Sequence, residues 1–236
     1  MELFYQENID NNQLVAVFSS EESKHILKVL RKKNGDQISV TNGKGLQWNG
    51  EITYSHNKKV IAKKVNSILH KNKATKLHIA IAPPKNIDRM EWFLEKSTEI
   101  GISQITPIIC DHSERKVIKD LRMKKILIGA IKQSNQFYLP KMNPICDYKS
   151  FMKKKFSEIK MIAHCGEGKK KELHKIEKIQ SQLLILIGPE GDFSEKEIEI
   201  ARANSFIEIS LGNKRLRTET AGVFACNSVE ILRRIN

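Results

Sequence analysis

Beyond residue 76 the apolar positions fall into two alternating textures. Runs of strand length at 77–82, 104–109, 160–164, 183–187 and 207–210 are separated by longer stretches of helical period at 87–100, 119–135, 194–204 and about 220–235. Strand then helix, repeated, indicates an α/β domain with a largely parallel sheet. The run Leu183-Leu184-Ile185-Leu186-Ile187 has no polar face, as expected of a strand covered on both sides.

The first 72 residues read differently. Turn signals at Asn34-Gly35-Asp36 and Asn42-Gly43-Lys44-Gly45 separate short β-rich runs at 37–41 and 47–54, which predicts a small barrel or sandwich. Within it, Ser20-Glu21-Glu22-Ser23 supplies helix-start residues, and Ile26, Leu27, Val29 and Leu30 form an apolar stripe, so a short helix is expected over 21–31. The stretch 66–76 lacks apolar periodicity and places a domain boundary near Lys73. A chain of 236 residues accommodates two such domains, 1–72 and 73–236.

Charge adds a partner to this picture. Lys and Arg number 41 against 27 Asp and Glu, a formal net charge of +14, for which a polyanion is an economical explanation. A lysine-rich proteome produces the same figure, with runs such as Lys153–Lys155 and Lys169–Lys171 serving as solvated faces. His25, Lys28, Arg31, Lys32 and Lys33 put a basic edge beside the first hairpin, which suits either a small barrel that grips RNA phosphates or a solvated helix face. The cysteines, Cys110, Cys146, Cys165 and Cys226, are scattered and read as reduced, mostly buried thiols. The first ten residues carry Glu2, Glu7 and Asp10 rather than a basic and apolar leader, and no apolar run approaches membrane-spanning length. A cytoplasmic protein without a membrane partner is expected.

The chemistry is expected where strands end. The apolar strand at 183–187 runs into Gly188-Pro189-Glu190-Gly191-Asp192-Phe193-Ser194, and ligands of parallel α/β sheets bind just past such carboxyl ends. Ser194 and Glu197 have the spacing of a capping box. A P-loop is excluded, because no Lys-Ser/Thr pair follows the second glycine and Glu190 and Asp192 would repel a phosphate. A second loop, from Leu211-Gly212 through Leu216, Arg217, Thr218, Glu219 and Thr220 to Ala221-Gly222, follows the strand at 207–210. Two glycine-bearing loops after two strands suggest one shared pocket. Either loop alone would be an ordinary tight turn. His164 beside Cys165 is too little for a metal site, and no metal is expected.

These two loops, with His25-Ile26-Leu27-Lys28-Val29-Leu30-Arg31 and Glu95-Lys96-Ser97-Thr98-Glu99-Ile100-Gly101, resemble the RsmE family of SPOUT methyltransferases over the whole chain. The resemblance implies a PUA-like β-barrel that helps bind RNA, followed by an α/β domain closed by a deep trefoil knot. It implies transfer of a methyl group from S-adenosylmethionine to N3 of a uridine in 16S ribosomal RNA, within the small ribosomal subunit, by a homodimer. Carried over residue by residue, the cofactor lies against Leu186, Gly188, Pro189, Glu190, Gly191, Leu211, Gly212, Leu216, Thr220 and Ala221. Arg217 and Glu219 stand as catalytic candidates, Arg217 because a fixed guanidinium stabilises the anion left when the N3 proton departs; its alternative is a helix-start salt bridge to Glu219 or Glu190. Glu190 and Glu99 are further candidates for the base by residue type alone. Ser113, Glu114, Arg115, Gln133 and Ser134, with His25, Lys28 and Arg31, fall on the RNA side. The chain departs from the family pattern in Lys132-Gln133-Ser134-Asn135-Gln136, where Lys132 replaces an acidic residue and Gln136 an arginine, while Pro140 and Pro144 remain. Two other readings stay open: a non-catalytic RNA-binding or ribosome-assembly factor, and a SPOUT methyltransferase acting on another RNA.

Overall fold

The computed structural model describes residues 2–56, 58–72, 76–176 and 182–235. By its internal contacts the chain divides into two compact units, Met1–Lys73 with Ile131–Leu139, and Ala74–Ala130 with Pro140–Asn236. The boundary expected near Lys73 lies outside the described residues.

In the first unit the chain forms β1 (Leu3–Tyr5), β2 (Val15–Val17), α1 (Ser20–Lys24), β3 (Gln37–Thr41), β4 (Leu46–His56) and β5 (Lys59–Leu69). The sheet order is β1-β3-β4-β5-β2, with β1 parallel to β3 and the other pairs antiparallel. Gly35, Gly43 and Gly45 all have positive φ, which is why the two turn signals contain glycine. Strand β5 runs on to Leu69, so the stretch that the apolar pattern assigned to a linker from residue 66 is partly strand. Its apolar residues there, Ile68 and Leu69, are themselves exposed, so no buried period marks the strand. Trp48 is fully buried among Phe4, Phe18, Ile26, Val40 and Ile52, and its indole N–H donates to the Gln13 carbonyl at 2.8 Å.

The helix expected over 21–31 is shorter and changes type. Its α-helical part stops at Lys24 and His25–Val29 forms a π-helical turn, with the Leu30 N–H donating to the His25 carbonyl at 3.1 Å. The wider turn keeps Ile26 in the core but leaves Val29 65% exposed, so the stripe is narrower than its sequence spacing implied. Arg31 follows in the left-handed region at φ 53°.

Residues 131–139 group with this unit through specific contacts. The Gly45 N–H donates to the Phe137 carbonyl and the Leu139 N–H to the Gly43 carbonyl, at 2.8 and 2.9 Å. The Phe137 ring stacks on His70 at 4.1 Å, and Tyr138 donates its hydroxyl to the His70 carbonyl. Lys132, one of the two residues that depart from the family pattern, lies 3.7 Å from Glu22 and over the Phe4 ring.

The second unit contains β6 (Leu77–Ile81), α2 (Ile87–Ile100), β7 (Gln104–Ile109), α3 (Asp120–Gln133), β8 (Lys141–Met142), β9 (Cys146–Asp147), α4 (Tyr148–Met152), β10 (Ile159–Ala163), β11 (Lys171–Glu172), β12 (Leu183–Ile187), α5 (Glu195–Ala203), β13 (Ile207–Ser210) and α6 (Thr218–Ile235). Among the described residues the strand order is β11-β13-β10-β12-β6-β7-β8, with β9 also on β7, and every pairing is parallel. All five residues of β6 and of β12 are buried, because helices cover both faces. Ala80, Leu184 and Leu186 face a core completed by Tyr148, Phe151 and Phe206. On α6, Gly222 sits so close to Phe93 of α2 that a Cβ there would lie 2.6 Å from its ring.

Candidate active site

Strands β10, β12 and β13 are parallel neighbours, so their carboxyl ends emerge together. They surround a cavity of about 490 Å³, a size suited to a small cofactor. Ala163, His164 and Cys165 line it from β10, Ile187, Gly188, Pro189 and Glu190 from β12, and Ile209 to Gly212 from β13. Leu216, Arg217, Thr218 and Ala221 close it where the chain enters α6. The two glycine-bearing loops therefore do share one pocket.

The loop after β12 is held from several directions. At its start, the Thr218 hydroxyl donates to the Gly188 carbonyl at 3.0 Å, and a Cβ on Gly188 would lie 3.1 Å from the Phe193 ring. Glu190 accepts the Lys85 N–H at 3.0 Å, while its carbonyl accepts from Arg215. His112 Nδ1 lies 3.0 Å from the carbonyls of Gly191 and Asp192, and a Cβ on Gly191 would be 3.0 Å from that of His112. The Asp192 carboxylate accepts the Cys165 N–H at 2.7 Å, tying the ends of β10 and β12 together. Ser194 and Glu197 form the expected capping box at the start of α5. The Ser194 hydroxyl also donates to Asp111 and the Asp111 N–H to Glu197, and burial pushes the Glu197 carboxyl up from its ordinary pKa.

The residues carried over for the cofactor separate into two sets. Gly188, Pro189, Glu190, Leu211, Gly212, Leu216 and Ala221 line the cavity; Leu186, Gly191 and Thr220 do not. Leu186 is fully buried in the core beneath, because alternate residues of a strand point to opposite faces. Arg217 lines the cavity, is exposed, and pairs with neither Glu190 nor Glu219. Glu219 lies outside the lining: it is buried, one carboxylate oxygen is 3.7 Å from Arg89 of α2, and the other has no hydrogen-bond partner among the described residues.

The residues expected on the RNA side are spread. Ser113 is buried, its hydroxyl accepting the Cys110 N–H at 2.9 Å as part of the turn after β7. Glu114 pairs with Lys85 at 2.7 Å, and Arg115 donates to the carbonyls of Pro84 and Lys85. These contacts brace the loop between β6 and α2, which Glu190 also holds. His25, Lys28, Arg31 and Gln133 are exposed and Ser134 half-buried, in the first unit.

Thr218, His164, Cys165, Lys170 and Asp192 also line the cavity, although the sequence reading gave none of them a place against the cofactor. His164 stood only as a weak metal candidate. Its Nε2 lies 3.0 Å from Glu208, which Arg202 also engages, and burial holds its pKa below the ordinary value. Of the four thiols, Cys110 and Cys226 are buried, but Cys165 is exposed at the cavity rim, so burial applies to only half of them.

The RNA methyltransferase domain family matches residues 71–230, and the RNA methyltransferase PUA domain family matches residues 18–65. The chain belongs to the RsmE family of RNA methyltransferases. It is 31% identical to the ribosomal RNA small subunit methyltransferase E of Buchnera aphidicola subsp. Acyrthosiphon pisum (strain APS), over 98% of this chain and 92% of that one. The protein of that name from Bacillus subtilis (strain 168) is 29% identical over 89% of this chain and 88% of its own. The crystal structure of a ribosomal RNA small subunit methyltransferase E from Neisseria gonorrhoeae, bound to S-adenosyl methionine, superposes with a TM-score of 0.87 at 26% identity, covering 98% of each chain. The RsmE fold, a PUA-like barrel before a SPOUT domain, is thus the fold of this chain. In an RsmE protein the cavity's chemistry suits S-adenosylmethionine. Ile187, Leu211, Leu216 and Ala221 offer apolar surface, and the strand-end backbone offers hydrogen-bonding groups. Gly212, at φ 125°, leaves open space where a Cβ would stand.

Proposed function

We propose that this protein methylates N3 of a uridine in the 16S RNA of the small ribosomal subunit, using S-adenosylmethionine. The observation that carries this reading is the cavity at the ends of β10, β12 and β13, in a chain whose whole length matches the small-subunit rRNA methyltransferases. Gly188 to Glu190, Leu211, Gly212, Leu216 and Ala221 would hold the cofactor, which supplies an electrophilic methyl group. N3 of uridine carries a proton and is a poor nucleophile until that proton is lost. Arg217 borders the cavity with its guanidinium unpaired among the described residues, placed to bind a uracil carbonyl and stabilise the N3 anion. Glu219, held by Arg89 outside the cavity, has no part in this step and instead braces α6 against α2.

The first domain, 1–72, serves as the PUA-like RNA-binding module. Its exposed His25, Lys28 and Arg31 lie on and just after the π-helical turn, a backbone form that often marks functional positions. Gln133 and Ser134, on the segment that groups with that unit, complete the RNA side. The active form is a homodimer. Trp92 of α2 and Phe224 and Ile231 of α6 are each more than 40% exposed, an apolar surface that a second copy would cover. No helix among the described residues is long and apolar enough to cross a membrane, and the substrate places the enzyme in the cytoplasm.

Calorimetric titration with S-adenosylmethionine tests the site. Micromolar binding by the wild type, lost in Gly188→Val, is the expected result. A wild type that binds no cofactor, with or without small-subunit RNA, would overturn the reading.

A further inference from the structure

A second cavity, of about 750 Å³, opens beside α4 and the start of β10. Five lysines line it: Lys149, Lys153, Lys154, Lys155 and Lys160. No carboxylate does, and none of the five has an ion-pair partner among the described residues. The nearby Asp147 carboxylate is engaged in capping α4 through the Ser150 N–H. Lys160 is anchored by the Asn204 carbonyl at 2.6 Å and lies over the Phe206 ring, and Lys154 lies over the ring of Phe151. Met152, Phe156 and Ile200 give the cavity an apolar wall.

This arrangement differs from a solvated lysine face. On such a face charges of both signs mingle, whereas here five cations converge on one concavity. An ammonium group is a point charge without a fixed hydrogen-bonding fork, so lysines in this number suit phosphates strung along a backbone better than base edges or one planar carboxylate. Sugar and base surfaces suit the apolar wall. The position along β10 sets the role. Lys160 precedes Ala163, at the cofactor cavity, by three residues, roughly 10 Å at strand rise, so the lysines stand at the opposite end of the strand from the methyl donor.

We propose that this lysine-lined cavity binds the sugar–phosphate backbone of the substrate RNA at a segment remote from the methylated nucleotide. The proposal rests on the reading of the chain as an rRNA methyltransferase. It supplies affinity without sequence preference, and its loss changes KM rather than kcat.

The test compares the full-length protein with Lys153→Gln/Lys154→Gln/Lys155→Gln and with the charge-keeping Lys153→Arg/Lys154→Arg/Lys155→Arg. Affinity for small-subunit RNA is measured from low to moderate salt, with methyl-transfer kinetics and calorimetric binding of S-adenosylmethionine alongside. The glutamine variant is expected to bind RNA about ten-fold more weakly near physiological salt. The slope of log affinity against log salt should become shallower by roughly two, since each lost phosphate contact removes about 0.7. Cofactor affinity and kcat should stay within two-fold, and the arginine variant should match the wild type. Unchanged RNA affinity and salt slope in the glutamine variant overturn the proposal and leave the lysines solvated or facing a protein. Equal losses in both variants overturn it too, since charge is then not the cause. A wild type that neither binds nor methylates the RNA rejects the enzyme reading itself, which is a different outcome from an active wild type with an indifferent variant.

Discussion

Arg217 and Thr218 are adjacent, yet their surroundings give them different work. Thr218 is buried, with its hydroxyl on the Gly188 carbonyl, and fixes the loop; Arg217 is exposed at the cavity and free to meet a substrate. Arg217→Ala is therefore expected to keep S-adenosylmethionine affinity within about three-fold by calorimetry while lowering kcat by roughly 10²–10³, the scale for losing one stabiliser of a developing anion. A large loss of cofactor affinity would move Arg217 to the cofactor side. That Gly188, Gly212 and Arg217 border the cavity was legible, because their residue types constrain the backbone or carry charge at the ends of strands. Thr218 and His164 were not: their roles depend on β13 and β10 ending side by side, a tertiary fact that no local spacing carries.

His78, at the second position of β6, shows the same dependence on surroundings. Its Nε2 lies 2.7 Å from the Thr106 hydroxyl, and burial, reinforced by Lys141 and Lys154, pushes its pKa down to about 4. The unfolded chain takes up this proton near pH 6.5 and the folded one only near 4, so stability is full above about 6.5 and falls as pH drops through that window. Urea midpoints should record a loss on the order of 3 kcal/mol between pH 6.5 and 4, reduced in His78→Gln. An equal loss in both proteins would remove His78 as its source.

At the scale of elements, α5 depends on the capping residue just before it. Ser194 accepts the Glu197 N–H and donates to Asp111, so Ser194→Ala should cost about 1–2 kcal/mol and lower the thermal midpoint, as read by calorimetric scanning. No change in midpoint would mean that the cap is redundant. The capping box was legible because it is a fixed spacing of three residues, and strand β12 because five apolar residues in a row leave few alternatives. Strands of two or three residues, such as β1, β8 and β11, have no period to detect. The turn at His25–Val29 escaped for another reason: its residues suit an α-helix, and the backbone widens only in the folded context.

The molecule as a whole depends on connections between distant segments. The alternation of strands and helices gave the α/β class, but strand order and the grouping of residues 131–139 with the first unit follow from contacts across nearly a hundred residues. Dimerisation belongs here too. Phe224→Glu/Ile231→Glu should sediment as a monomer at micromolar concentration and lose methyl transfer, whereas a variant that remains dimeric would place the interface elsewhere. The central claim is tested most directly by incubating the purified protein with S-adenosylmethionine and small ribosomal subunits lacking the modification, then mapping methylated nucleotides in the 16S RNA. The account predicts a single new methyl group, on N3 of one uridine, absent with Gly188→Val. Methylation of a different atom, of a different RNA, or of none with the cofactor bound would contradict it.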